Sequence, residues 1–175
     1  FRTFYGGGTA GSATVAAAVP PASTWTHLVV TCNGTTLTMY TNGVLSMSAA
    51  ITPSYLPNLA ATFTVGCRST LNFNWPGQVA ETAMYGSALT GGRVTAHYAA
   101  ATTTPATYAD TVLADSPLLY HRYLEAADVV AANMGSLGAS KNALYQYGTA
   151  AGINAPRPSA YPGFEPANYA AGVPG

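Results

Sequence analysis

The stretch from Trp25 to Gly43, WTHLVVTCNGTTLTMYTNG, limits the fold more than any other part of this chain. Thr26 to Cys32 is rich in β-branched and apolar residues and reads as a strand. Thr35 to Thr41 alternates, with Leu37, Met39 and Thr41 on one side and Thr36, Thr38 and Tyr40 on the other. Asn33-Gly34 lies between them, and Asn-Gly between such runs predicts a type I′ hairpin with positive φ at both central residues. Asn42-Gly43 turns the chain a second time, into Val44-Leu45-Ser46-Met47. The result is an antiparallel meander.

Charge is scarce. Charged residues make up 7% of the 175 and hydrophobic residues 49%, so Thr, Ser, Asn, Gln and Tyr must supply most of the polar face. Six basic residues balance six acidic ones. There is no basic patch for nucleic acid, and a net charge near zero favours association over a free cytosolic enzyme. No apolar run reaches the length of a membrane span, and Ala13 to Val19 ends at Pro20-Pro21. The chain opens on Phe1 without a basic and apolar leader, as expected of a processed or excised piece.

Further along, Thr62 to Gly66 (TFTVG) and Gly77 to Tyr85 (GQVAETAMY) read as strands. Leu89 to Ala100 reads as a short helix with Thr90 as its N-cap and Val94, His97 and Tyr98 at helical spacing. Residues 99–107, AAATTTPAT, have linker composition. Beyond them Tyr108 to Leu113 is apolar and Leu118 to Leu124 is a strand candidate. The last 20 residues hold Pro156, Pro158, Pro162, Pro166 and Pro174 and lack apolar periodicity, so they are expected to run extended over a surface or on a partner.

The ordered set Trp25-x-His27, Asn33-Gly34, Leu37-x-Met39-Tyr40-x-Asn42-Gly43, Thr64-Val65-Gly66, Phe73, Gly77-x-Val79-Ala80-Glu81, Met84-Tyr85, Leu89-Thr90, Arg93-Val94 and His97-Tyr98 resembles a laminin G-like domain. The family is the concanavalin A-like jelly roll, in its bacterial and phage form. The resemblance implies an all-β, antiparallel jelly-roll β-sandwich with little helix, and residues 1–98 look like its C-terminal two-thirds. After the linker, Tyr108, Val112 to Pro117, Leu118-x-Tyr120, Arg122, Glu125, Asn133-x-Gly135 and Tyr145 resemble the opening strands of such a domain. Residues 108–175 thus read either as the start of a second unit or as strands completing the same or a neighbouring sandwich, because an incomplete domain has open sheet edges.

Candidate chemistry is thin. Glycosidases on this scaffold need two carboxylates roughly 5–10 Å apart across a cleft. The glutamates are Glu81, Glu125 and Glu165, and none has an acidic neighbour in sequence. No catalytic residue is assigned, and the resemblance implies that Glu81 bonds backbone or a loop residue such as Arg93. His27 and His97 read as packed side chains. Some relatives bind calcium, which takes roughly six to eight oxygens; Asp110, Asp115 and Asp128 are too few, and no cofactor is expected. The family often binds glycans, for which Trp75 with Asn72, Asn74 and Tyr55 is the candidate platform; packing at the sandwich edge is its alternative. Cys32 and Cys67 read as buried free thiols, with a Cys32–Cys67 disulfide as the alternative.

The expectation is a non-enzymatic structural, decoration or fibre protein of a phage virion or similar extracellular assembly. Its partners would be further copies, other virion subunits and cell-surface glycans. A carbohydrate-binding module and, less well supported, a glycoside hydrolase are the alternatives.

Overall fold

The structure, a computed structural model, describes residues 21–51, 63–67, 75–105, 107–127, 129–146 and 148–174, and the backbone of residues 2–5 and 13–16. The chain divides into two compact units. One comprises Phe1–Pro57 and Ser87–Ala100, the other Asn58–Gly86 and Ala101–Gly175.

In the first unit, β1 (Arg2–Tyr5) pairs antiparallel with β2 (Ala13–Ala16). The meander follows as β3 (Leu28–Cys32), β4 (Thr36–Thr41) and β5 (Val44–Ala50), with β4 in the middle. The alternation of β4 has the expected consequence. Leu37 and Met39 are 2% and 0% exposed and form a cluster with Ile51, against which Cys32 and Ala49 pack. Full burial of each such side chain contributes about 1.5–3 kcal/mol.

The two Asn-Gly turns differ. At Asn42-Gly43 both residues are left-handed, φ 51° and 77°, and Thr41 faces Val44 directly, as the expected type I′ geometry requires. At Asn33-Gly34 only Gly34 is left-handed, at φ 94°. The turn has shifted by one residue: the Asn33 amide donates to Thr36 O at 3.2 Å. The Asn33 side chain is the reason. Its Oδ1 accepts from the amides of Thr35 and Thr36 at 3.1 and 2.8 Å, a local bond that replaces a left-handed Asn.

Helix α1 (Gly91–Thr102) begins where expected, with the Arg93 amide donating to Thr90 Oγ1 at 3.3 Å. Within the first unit it meets the second hairpin turn. Thr95 Oγ1 donates to Gly43 O at 2.9 Å, and a Cβ on Gly43 would stand 2.9 Å from that of Tyr98. Glycine is required there for φ and for space alike. The helix runs on through the first four residues of the segment read as a linker, as its Ala composition favours, and residues 103–105 are exposed.

The second unit holds β6 (Gly77–Val79), β7 (Thr82–Met84), α2 (Tyr108–Ala114), β8 (Leu119–His121), β9 (Val130–Ala131), a 3-10 turn (Gly138–Lys141), β10 (Ala143–Leu144), β11 (Ala150–Asn154) and β12 (Tyr169–Val173). Its antiparallel ladders are β11-β12-β6, β7-β8 and β9-β10.

Several expectations change here. Gly77 to Tyr85 is two strands, because Glu81 takes a left-handed φ of 55° and the chain leaves one ladder for another. Phe63 to Gly66 is bent, with Gly66 at φ 82° in contact range of Val173, and among the described residues it pairs with no strand; Thr62 lies outside them. Tyr108 to Leu113 is helical. The Pro-rich C-terminal segment is no surface tail: β12 is the middle strand of three, with Ala170 and Ala171 0% and 5% exposed. Small residues fit between two neighbours where a long side chain would not; a Cβ on Gly172 would lie 3.2 Å from Ile153 Cγ1.

Candidate functional site

Among the described residues of the second unit, a dense polar cluster is built around Glu81. The turn between β6 and β7 aims its carboxylate at β8 and the residue after it. Tyr120 and Arg122 are two apart on an extended segment and so share a face. The Tyr120 hydroxyl donates to Glu81 Oε2. Arg122 Nε reaches both Glu81 oxygens at 3.2 Å, and its Nη2 reaches Oε1 at 3.2 Å. The other side of the same guanidinium donates to Glu165, Nη2 to Oε2 at 2.7 Å and Nη1 to Oε1 at 3.2 Å. Arg122 therefore binds two carboxylates through its fork of donors.

The two carboxylates differ in setting. The Glu81 side chain is 4% exposed and that of Glu165 is 49% exposed. Burial pushes the Glu81 carboxyl above its ordinary range, and Arg122 and the Tyr120 hydroxyl pull it part of the way back. The hydrogen bonds from Arg122 hold Glu165 below its ordinary range. Burial alone would weaken the charge on Arg122, but Glu165 and Glu81 outweigh it and the guanidinium stays protonated. Burial also raises Tyr108 and Tyr120. Tyr108 packs on Phe164 at 4.6 Å between ring centroids, beside the cluster.

This corrects the sequence reading in two respects. The partner of Glu81 is Arg122 and not Arg93, and Glu81 does have a second carboxylate near it, brought from residue 165 by the fold. Arg122 was legible as a position in the opening-strand pattern beyond the linker, with no sign that Glu81 is its partner. Glu165, in a Pro-rich segment, gave no signal.

A second polar knot supports β8. Asn133 is 8% exposed, and its Oδ1 accepts from the amides of Tyr120 and Gly135 at 2.8 and 2.9 Å while its Nδ2 donates to Gly138 O at 3.0 Å. A Cβ on Gly135 would stand 2.5 Å from Leu118 O, so the Asn133-x-Gly135 pattern is a packing requirement. The ring of His121 bonds Lys141 O at 3.1 Å.

Of the proposed glycan platform, Trp75 is half-buried, with its amide on Gly66 O at 2.6 Å and its indole Nε1 2.8 Å from where a Cβ on Gly77 would lie. Tyr55, Asn72 and Asn74 lie outside the described residues. Cys32, in the first unit, and Cys67, in the second, are each a partly buried free thiol. In the first unit His97 is 3% exposed, and burial followed by its proximity pushes His27 down to about 4. Among the described residues no group of three or more His, Cys, Asp or Glu could hold a metal ion, and no helix is long and apolar enough to cross a membrane.

An antiparallel β structure with, among the described residues, two short helices is the all-β class that the sequence motifs implied. The family model of the concanavalin A-like lectin/glucanases superfamily, in its laminin G form, matches residues 1–95, more than half of the chain. The chain belongs to this superfamily. No curated protein and no solved structure matches it.

Proposed function

We propose that this chain is a non-catalytic structural module that builds or decorates an extracellular assembly, of the kind found on phage virions and secreted bacterial surface proteins. One observation carries the non-catalytic part: Glu81 and Glu165 are both engaged by Arg122, and Glu81 has almost no access to solvent. A glycosidase acid or nucleophile has to face substrate across a cleft. The low charge, balanced at six of each sign, supports assembly among copies. Light scattering and sedimentation at high concentration test the reading, with concentration-dependent association expected. A chain that stays monomeric and is rapidly cleaved throughout residues 108–175 would overturn it.

A second reading, carbohydrate binding, draws on the lectin character of the superfamily and on the part-exposed Trp75. Binding on a glycan array that is lost in Trp75→Ala would favour it, and a blank array would remove it.

A further inference from the structure

The strands Gly77–Val79 and Thr82–Met84 cannot stand alone. Without residues 108–175, β6 loses β12, β7 loses β8, and the Glu81 carboxylate loses both Arg122 and Tyr120. An unpaired edge invites any complementary strand. Something must therefore close this region. The closing segment is joined to α1 through exposed residues 103–105, in a Thr- and Pro-rich link. Its hold on 77–84 includes two antiparallel ladders, one ion cluster, the Tyr123 hydroxyl on Thr82 Oγ1 at 3.1 Å and the packing of Val79 on Tyr123, Ala131 and Ala171, and none of these contacts depends on which copy supplies it.

We propose that residues 108–175 are an exchangeable closing segment, which pairs with Gly77–Met84 of its own chain or of a second copy and so links copies into an assembly. In the exchanged form the second copy contributes Tyr120, Arg122 and Glu165 to Glu81, and β12 to β6. The same contacts are made in both forms, so exchange needs only the link to straighten. This rests on the assembly reading above and names the element that would carry it.

The test uses the full chain with Cys32 and Cys67 replaced by Ala. Val79 and Ala171 are register partners that pack together in one cluster with Tyr123 and Ala131. One chain carries Val79→Cys, a differently tagged chain carries Ala171→Cys, and the two are co-expressed and oxidised. A disulfide-linked heterodimer on a non-reducing gel is expected, and deletion of Thr103, Thr104 and Pro105 is expected to raise its fraction by hindering closure in cis. The chain carrying both substitutions is the control, since it can close on itself. Closure of that control with no heterodimer from the mixed chains overturns exchange, and so does failure of the control to close. If exchange fails while the wild-type chain still associates by light scattering, assembly stands and uses another surface.

Discussion

Arg122 is the residue on which the second unit's polar interior depends. It is 6% exposed and lies between a buried and a half-exposed carboxylate. Arg122→Met is expected to cost about 3–5 kcal/mol, since it leaves Glu81 buried and uncompensated. Glu165→Gln should cost about 1 kcal/mol or less, because half of that pair is in water. Urea unfolding of both variants checks the ordering, and equal losses would contradict it. The Arg122→Met loss should also shrink in acid. Without the guanidinium the folded-state pKa of Glu81 rises further, so the variant loses stability as pH rises through that value and recovers below it.

His27 acts with the opposite sign in the first unit. Its folded pKa is about 4 against an ordinary 6.5. The unfolded chain then binds more protons between these values, so stability is full above about pH 6.5 and is lost as pH falls towards 4. The shift corresponds to about 3 kcal/mol. Subtracting the stability–pH curve of His27→Gln from that of the wild type should isolate this term, and a flat difference between pH 4 and 6.5 would exclude it. Sequence showed both residues as points of interest and gave neither environment. A histidine beside Trp25 reads as packed, but its burial against His97 needs helix α1 in place.

At the scale of elements, legibility followed periodicity. The β4 alternation and the Thr90 cap were visible because local pattern and tertiary contact agree there. The strand through Gly77 to Tyr85 was misread because its alternation continues across Ala80 and Glu81, while the break comes from a distant Arg122 and Tyr120. β12 was missed because Ala-Ala-Gly carries no apolar alternation, yet small side chains are what a crowded middle strand accepts. The paired Asn-Gly signals make a sharper case. Gly34 has open space around its missing Cβ and Gly43 does not. Gly34→Ala should therefore cost only the left-handed backbone, about 1 kcal/mol. Gly43→Ala should cost about 1–3 kcal/mol more through collision with Tyr98. Thermal unfolding of the two variants compares them directly, and a smaller effect at Gly43 would contradict the packing of α1 on that turn.

At the scale of the whole molecule, the ordered motifs implied the class of protein and composition was silent on connectivity. Balanced, sparse charge pointed to association, and the ordered motifs of residues 25–98 pointed to the superfamily that matches residues 1–95. The motifs beyond the linker raised the possibility that residues 108–175 complete a sandwich, but neither they nor the charge balance named residues 77–84 as the place they close. Hydrogen exchange tests this closure in solution. Amides of Ala171 and Gly172 should be among the slowest of the second unit, as expected for a strand with a neighbour on each side. Rapid exchange there would mean that the segment is loose after all.

The middle position of β12 has a temporal side. Its two neighbours, β6 and β11, are both made before it on the ribosome, and β6 is separated from it by some ninety residues of chain, a distance at which loop closure is slow. The nascent chain must therefore carry two incomplete strands until Tyr169–Val173 emerges to join them. A molecule stalled or nicked shortly before that point presents adhesive edges to every other chain nearby. A chaperone acting in that interval would need to recognise no more than an unfilled gap between two strands.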